Sequence, residues 1–189
     1  MIPGKKINLW AIEREDLLQN YLWANDPEIV KLAGMDVIPK TAWDIEKWYE
    51  TNLSNPNIQE FAIKMDDGTY IGNIELTNMD WRSGTAEIGI LIGDRNRRNK
   101  GFASEALRMT ARYAFEELGL HRIYAKVLSF NQKAQKLFET NGYQKEGVLR
   151  EAFFTWGKYW DVTVYSILDR EFAEKFPYQP LEEATEETS

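Results

Sequence analysis

The sequence predicts one α/β domain of the α+β kind, in which about four helices pack on a central, mixed sheet of about seven mostly antiparallel strands. Two β-rich runs flank the turn Asp66-Asp67-Gly68, which is typical of an antiparallel hairpin. Apolar residues recur at three- and four-residue spacing over residues 101–118, which indicates an amphipathic helix. The 189 residues favour a single hydrophobic core, because one domain commonly holds about 100 to 200 residues.

The first third of the chain predicts a strand followed by helices. Apolar and more polar residues alternate over residues 6–12, as in a half-buried strand, and the acidic run that follows suits the start of a helix up to about residue 24. Asp26-Pro27 can begin a second short helix. Thr41, with Asp44 three residues further on, approximates a capping box and predicts the next helix.

The middle of the chain predicts three strands. A loop at residues 55–57 precedes the two hairpin strands, which are predicted over residues 59–65 and 69–79. Residues 85–93, TAEIGILIG, form a near-continuous apolar run. A strand of this kind is buried on both faces, so we expect it at the centre of the sheet.

The last third predicts further helices and strands. In order these are the helix 101–118 closed by Gly119, a strand over 122–128, a helix from the Asn131 N-cap to Gly142, and two long strands that run to about Asp169 and are joined at Trp156-Gly157-Lys158. The domain is predicted to comprise residues 1–176. Residues 177–189 are rich in glutamate and lack apolar periodicity, so we expect a disordered acidic tail.

Composition excludes several classes of function. The absence of cysteine rules out disulfides, thiolate metal sites and a cysteine nucleophile, and the single histidine, His121, argues against a multi-histidine centre, so no metal site is predicted. The net charge of −7 disfavours non-specific nucleic-acid binding. No apolar run approaches the ~18 residues of a membrane span and no secretion signal is visible, so we expect a cytoplasmic protein without membrane partners.

One short segment is strongly basic within this acidic protein. Residues 94–103, DRNRRNKGFA, join the predicted central strand to the long helix after it, and their cations are Arg95, Arg97, Arg98 and Lys100. Free backbone N–H groups and the positive end of the helix macrodipole meet at this turn, which predicts an anion site such as one for a pyrophosphate. Four cations on a solvated loop are the alternative. Neither GxGxxG nor GxxxxGK[ST] is present, so a dinucleotide site and a P-loop are not predicted.

A family motif lies in this basic turn. Arg98-Asn99-Lys100-Gly101-Phe102-Ala103 resembles the R/Q-x-x-G-x-G/A motif of the GNAT superfamily of acetyl-coenzyme A dependent N-acetyltransferases, and the order of elements over roughly residues 6–170 is that family's. The phrases AEIGI, RNKGFASEAL, NQKAQKLFETNGY and EGVLREAFFTWGKYWDVTVYSIL are similar to the RimJ/RimL-type branch, which includes acetylases of ribosomal-protein N-termini and relatives that act on small amines. The resemblance implies the GNAT acyl-coenzyme A N-acyltransferase fold and an acetyl-coenzyme A dependent enzyme.

The resemblance also implies a coenzyme A site along the central strand and the basic turn. In the family this strand is locally bulged, its backbone holds the pantetheine arm, and the amide that falls on Leu91 points at the thioester oxygen. The backbone of the turn holds the pyrophosphate with its cationic side chains in support, and Asn131 both caps its helix and reaches coenzyme A. The implied cofactor contacts are Ile90, Leu91, Ile92, Arg97, Arg98, Asn99, Lys100, Gly101, Phe102, Ala103, Asn131 and Phe138.

Two carboxylates compete for the role of base. Without cysteine, we expect direct attack of the amine on acetyl-coenzyme A in a ternary complex. Glu87 is the predicted base, because some GNAT members place a glutamate at its spacing before Gly101, and strand alternation puts it on the face of Leu91, where burial would raise its pKa. Glu75, in GNIELTN, is the alternative and could instead hold a cationic substrate.

The proton for the departing thiolate has no obvious donor. Phe138 stands seven residues after Asn131, where many GNAT enzymes place a tyrosine that protonates the thiolate. Water, or a hydroxyl such as that of Ser129, Tyr143 or Tyr165, could replace it, or no acid is needed.

The acceptor amine is the least determined part of the prediction. In the family the first helices and the final hairpin wall the acceptor site, which nominates Trp23, Trp43, Arg150 and Tyr159. The predicted function is RimJ/RimL-like acetylation of a primary amine such as a protein N-terminus. A polyamine or other small-amine acetylase is a second hypothesis, favoured by Glu75 and the acidic balance, and a non-catalytic acyl-coenzyme A binding module is a third. A homodimer is expected on general grounds.

Overall fold

A twisted sheet with helices on both faces forms the body of the protein. The structure is a computed structural model that describes residues 1–35 and 37–177. Within these residues the strands are β1 (Ile2–Pro3), β2 (Asn8–Trp10), β3 (Gln59–Lys64), β4 (Tyr70–Asp80), β5 (Thr85–Ile92), β6 (Arg122–Leu128), β7 (Gln144–Thr155) and β8 (Lys158–Leu168). The helices are α1 (Leu17–Ala24), α2 (Pro27–Ala33), α3 (Ala42–Ser54), α4 (Phe102–Arg112), α5 (Gln132–Thr140) and α6 (Asp169–Lys175).

The sheet is mixed and mostly antiparallel, as predicted. Its strand order is β1-β2-β3-β4-β5-β6-β8-β7. Among the described strands, β5 and β6 form the one parallel pair, and all other neighbours are antiparallel. A parallel pair needs a long crossover, which α4 provides between β5 and β6.

The main core fixes α4 against one face of the sheet. The buried side chains of this helix are Phe102, Ala106, Leu107, Thr110 and Ala111. Full burial of a leucine-sized side chain stabilises the fold by about 1.5–3 kcal/mol. The N-terminus of α4, where the basic turn ends, is therefore held in place by core packing.

The opposite face of the sheet is covered only in part. Here α1 and α3 pack a smaller apolar cluster of Ile12, Leu17, Ile45 and Ala62 over β3. Towards β5 and β6 this cover ends and leaves a cavity.

Local sequence signals account for the ends of these helices. The capping box of Thr41 and Asp44 begins α3, and the Asp26 side chain accepts from Glu28 N at 2.9 Å at the start of α2. The Asn131 side chain caps α5. These N-caps agree with the sequence prediction.

Two parts of the chain differ from the prediction. The strand expected over residues 6–12 is shorter, and Ile2–Pro3 adds an edge strand beside it, so the sheet has eight strands rather than about seven. The short helix α6 was missed. It starts directly after β8, where Glu171 Oε2 accepts from Leu168 N at 3.0 Å, and it buries Phe172 in the main core.

Of the predicted acidic tail, residues 178–189 lie outside the part of the chain that the structure describes. In residues 1–35 and 37–177, no helix combines the length and the apolar character needed to cross a bilayer. The same residues contain no group of three or more histidine, cysteine, aspartate or glutamate side chains placed to hold a metal ion.

Candidate active site

The centre of the sheet opens between β5 and β6. Their parallel pairing covers three residue pairs, from Thr85 with Arg122 to Glu87 with Tyr124, although both strands continue beyond it. The remaining part of β5 is bonded to β4 alone. One edge of its backbone therefore faces a gap in which unpaired amides can meet a ligand.

The register of β5 decides which amides face this gap. Gly93 N donates to Ile71 O of β4 at 3.0 Å, and β5 is regular against β4 up to Ile92. Successive residues of a strand direct their N–H groups to opposite edges, so Leu91 bonds to β4 while Ile90 and Ile92 face the gap. This differs from the prediction that the Leu91 amide points at the thioester. Within the paired residues of β4 and β5 the register shift lies between Thr77 and Asp80, and directly after β5 the amides of Gly93 and Asp94 both donate to Ile71 O.

A cleft of about 360 Å³ lies beside the gap, between α4, α5 and α2. It brings together most of the predicted cofactor contacts, namely Ile90, Leu91, Ile92, Arg97, Arg98, Asn99, Gly101, Phe102, Ala103 and Asn131. Lys100 is exposed and does not line it, and Phe138 lines the neighbouring cavity instead.

The turn that enters α4 is shaped to hold an anion. Asn99 and Gly101 have left-handed φ values of +60° and +87°, which bend the chain sharply and turn successive backbone N–H groups to one side. No side chain of the described residues caps α4, so its first N–H groups are available to a ligand. The positive end of the helix macrodipole adds to the attraction.

Two of the four cations in the turn are held by α2. Arg95 Nη2 donates to both carboxylate oxygens of Asp26 at 2.8 Å, and Arg98 Nη1 donates to Glu28 Oε1 at 2.6 Å. The positive field expected from these side chains is thus partly neutralised. Main-chain amides become the larger part of the anion site, and the ion pairs fix α2 beside it.

Asn131 ties α5 to α2 at the floor of the cleft. Its Oδ1 accepts from Ala134 N at 3.1 Å, which caps α5, and its Nδ2 donates to Leu32 O at 2.9 Å. The cap predicted from the sequence is therefore confirmed, and the side chain also lines both cavities.

A second cavity of about 670 Å³ continues from this cleft beneath α1 and α3. The two share Leu32, Ala33, Ile90, Leu91, Asn131 and Ala134 in their linings. Aromatic walls from Trp23 and Trp48 and the carboxylates of Asp44, Glu60 and Glu75 line the second cavity. It offers an acceptor site next to a cofactor site.

Glu75 lies where the second cavity meets β5. A Cβ on Gly89 would stand 2.8 Å from Glu75 Oε1, so glycine at this position makes room for the carboxylate against the β5 backbone. Burial, with a further effect of the Glu87 charge, raises the pKa of Glu75. A carboxyl with a raised pKa is suited to exchange protons with a bound ammonium.

Glu60 is the functional candidate that sequence reasoning missed. It pairs with Glu75 across β3 and β4, and its Oε2 accepts from Asn52 Nδ2 at 2.8 Å. Burial and then repulsion from Glu75 raise the pKa of Glu60 to about 8. The Cβ atoms of side chains that pair across two strands lie about 4.5–5.5 Å apart. Two unit charges at ~5 Å repel by about 3 kcal/mol at an effective dielectric of ~20, so both carboxylates are not easily charged together without a bound cation.

Glu87, the base favoured by the sequence, has a different environment. Its Oε2 accepts from Lys126 Nζ at 2.9 Å and from Asn78 Nδ2 at 3.1 Å. It lies at the last bridge between β5 and β6 and does not line the cavity, whereas Lys126 does. The geometry is that of an ion-paired strand glutamate.

None of the three hydroxyls considered as acids lines either cavity. Tyr143 is buried under Phe138 and its hydroxyl has no hydrogen-bond partner in the described residues. Tyr165 OH donates to Glu139 Oε1 at 2.9 Å, away from the cavities, and Ser129 likewise contributes to neither.

Four residues were nominated for the wall of the acceptor site, and Trp23 among them lines the second cavity. The Trp23 ring packs directly on Gly93. A Cβ at position 93 would stand 2.1 Å from this ring, so the packing requires glycine. Trp43 and Tyr159 are 67% and 62% exposed, and Arg150 is exposed on β7. These three lie outside the cavity because Trp43 is on the outer face of α3 and the β7–β8 hairpin lies beyond β6.

Comparison with known proteins identifies this arrangement. The model of an acetyltransferase (GNAT) domain matches residues 6–144. The chain belongs to the GNAT acetyltransferase family. The predicted GNAT fold, the acetyl-coenzyme A dependent N-acetyltransferase activity and the use of coenzyme A are thereby confirmed.

The similar proteins include enzymes with a small-amine acceptor. Spermidine N(1)-acetyltransferase of Vibrio cholerae is 30% identical over 170 residues, which cover 89% of this chain and 96% of that protein. A SPbeta prophage-derived N-acetyltransferase of Bacillus subtilis, YokL, is 31% identical over 169 residues, 89% of this chain and 93% of that protein. A crystal structure of the Vibrio cholerae enzyme in complex with CoA and spermine has a TM-score of 0.83 at 29% identity and covers 88% of this chain and 98% of that chain.

Proposed function

We propose that this GNAT acetyltransferase acetylates a primary amine of a small cationic acceptor, of the diamine or polyamine type. The single observation that carries the proposal is the position of Glu75, with Glu60 beside it, in the cavity that opens onto the gap between β5 and β6. The similarity to spermidine acetyltransferases supports it. The RimJ/RimL-like reading, with a protein N-terminus as acceptor, stays a prediction, as does a homodimer.

The residues of the first cavity fit coenzyme A. The amides at the start of α4 would hold its phosphates, since no side chain of the described residues caps this helix. The amides of Ile90 and Ile92 would bind along the gap, where the register leaves them without a strand partner. When bound, acetyl-coenzyme A supplies the acetyl group as a thioester.

Glu75 acts as the base in this proposal. An amine is protonated at neutral pH and becomes a nucleophile only after it loses a proton, and the carboxylate of Glu75 accepts that proton. An amide that faces the gap polarises the thioester carbonyl, which raises its reactivity towards the amine. Water protonates the thiolate, since none of the considered hydroxyls lines the cavities.

The base assignment is tested by paired variants. Glu75→Gln should lower kcat for a surrogate diamine by about 10²- to 10⁴-fold, the usual contribution of a general base. Glu87→Gln should lower it less than tenfold, because its carboxylate is ion-paired with Lys126 and does not line the cavity. Release of free thiol, followed from pH 6 to 10, measures both. A larger loss in Glu87→Gln would make Glu87 the base.

The acceptor class is tested with a panel of amines. Wild-type protein should release thiol faster with putrescine or spermidine than with peptides that have free N-termini and no other amine. Faster turnover of the peptides would favour the RimJ/RimL-like reading. Binding of coenzyme A without turnover of any amine would overturn the proposed function.

A further inference from the structure

A second carboxylate in the acceptor cavity is not used by the transfer reaction. Glu60 lies one strand further from the gap than Glu75, on the same face of the sheet. Its one hydrogen-bond partner among the described residues is Asn52 of α3, which leaves acceptor capacity on the carboxylate. The proposed base is Glu75, so Glu60 needs another explanation.

The charges around the cavity leave these two carboxylates without a cation. The charged side chains in its lining are Lys40, Asp44, Lys47, Glu60, Glu75 and Lys126. Lys126 is bonded to Glu87, and Lys47 lies over the ring of Trp43. Asp44 accepts from Thr41 in the capping box of α3. In the described part of the chain neither Glu60 nor Glu75 forms an ion pair.

An uncompensated pair of partly buried carboxylates is costly unless a ligand brings positive charge. Without a bound cation, a proton on Glu60 avoids this cost, in line with its raised pKa. A ligand with two ammonium groups would satisfy both carboxylates when they are charged. A ligand with one ammonium group would satisfy only one of them.

We propose that Glu60, held by Asn52, forms a distal ammonium subsite that makes the enzyme select acceptors with two amino groups over monoamines. This inference rests on the proposed function, because it takes Glu75 as the site of the reacting nitrogen. Side chains that pair across two strands have Cβ atoms about 4.5–5.5 Å apart. At about 1.5 Å per bond, a linker of three or four methylene groups spans a comparable distance. The walls of Ile45 and Trp48 offer apolar contact to such a linker.

The test compares Glu60→Gln with a matched control. Glu50→Gln removes the same charge from an exposed glutamate of α3 that does not line the cavity. With putrescine, Glu60→Gln should lower kcat/KM by about 10- to 100-fold, the value of a hydrogen bond to a charged group. With butylamine, the same variant should lose much less of its kcat/KM than with putrescine, and Glu50→Gln should change neither value.

Direct binding separates this inference from the proposed function. Calorimetric titration of putrescine and butylamine into coenzyme A-bound protein should show tighter binding of putrescine, and Glu60→Gln should remove the difference. If wild type shows that difference but acetylates neither amine, the subsite stands and the proposed function fails. Three results would overturn the subsite. They are equal losses for both amines in Glu60→Gln, an unchanged preference of this variant for putrescine, and a failure of putrescine to bind to the wild type.

Discussion

At the scale of single residues, the carboxyl groups of Glu60 and Glu75 have an unusual environment for acidic side chains. Burial raises both pKa values, and the charge of Glu75, which pairs with Glu60 across the two strands, raises that of Glu60 further. Such a pair costs the folded state free energy unless a cationic ligand meets it.

This environment makes stability depend on pH with a defined sign. The pKa of Glu60 in the folded protein is about 8, whereas an unfolded glutamate loses its proton near the ordinary pKa of 4.5. Between these values the folded state binds more protons, so the free energy of unfolding falls as pH rises, by at most about 1.4 kcal/mol per pH unit for this group. Glu60→Gln lacks the titration. Its free energy of unfolding relative to wild type should therefore rise from pH 5 to pH 8.

Urea denaturation at several pH values measures this difference. The apparent gain of Glu60→Gln should shrink when putrescine is present, because a bound dication stabilises the charged form in the wild type. A difference that stays constant from pH 5 to pH 8 would contradict the raised pKa.

At the scale of elements, the turn into α4 has a left-handed backbone conformation at the place where we propose that coenzyme A binds. Gly101 has φ +87°, a region that costs other residues about 1–2 kcal/mol, and Gly68 in the β3–β4 hairpin has φ +81°. Space around both is open, since a Cβ at Gly101 would meet only Lys6 Nζ at 3.8 Å and one at Gly68 would meet nothing within 4 Å. Gly101→Asp and Gly68→Asp are therefore a matched pair.

Both variants should lose about 1–2 kcal/mol of stability, while Gly101→Asp alone should lose coenzyme A binding. The reason is that the carboxylate introduced at position 101 would stand beside the phosphates of coenzyme A, whereas residue 68 is remote from both cavities. Calorimetric titration with coenzyme A measures the affinity. Equal affinity in the two variants would show that the turn does not hold the phosphates.

Local signals predicted the elements well because each depends on few residues. The Asn131 cap, the capping box of Thr41 and the apolar period of α4 each act within one or two turns of chain. The edge strand β1 was missed because two residues are too few to carry a period of alternation. The helix α6 was missed because its end stabilisation depends on Glu171 and its packing depends on a distant core.

The site was predicted less completely because it depends on register. Counting outward from the hairpin turn pairs Lys64 with Tyr70 and would pair Glu60 with Ile74. A bulge between Ile63 and Lys64 shifts the register by one residue and places Glu60 opposite Glu75 instead. No residue pattern in the sequence predicts this shift of register.

At the scale of the whole molecule, coenzyme A would join elements that are far apart in sequence. Its cleft is lined by α2, β5, the α4 turn and α5. A ligand that binds only the folded state stabilises it by about 2.7 kcal/mol at a concentration of 100 times Kd. For a domain of 150–250 residues this corresponds to a rise in Tm of about 5–11 °C.

Thermal denaturation with and without coenzyme A measures this rise. Gly101→Asp should show none at the same concentration, and Gly68→Asp should show the full shift. A rise in Tm that is equal in the two variants would place the ligand elsewhere on the molecule.

The ion pairs between α2 and the basic turn bear on the order in which the two substrates add. Glu28 of α2 forms an ion pair with the guanidinium of Arg98. Leu32 and Ala33 of the same helix line both cavities. A diphosphate that entered the turn would compete with Glu28 for that guanidinium, while Arg95 would still hold α2 through Asp26. Binding of the nucleotide thiol would thereby be coupled to binding of the amine through the seven residues of this helix, and steady-state product inhibition should show an ordered sequence in which the thioester adds first.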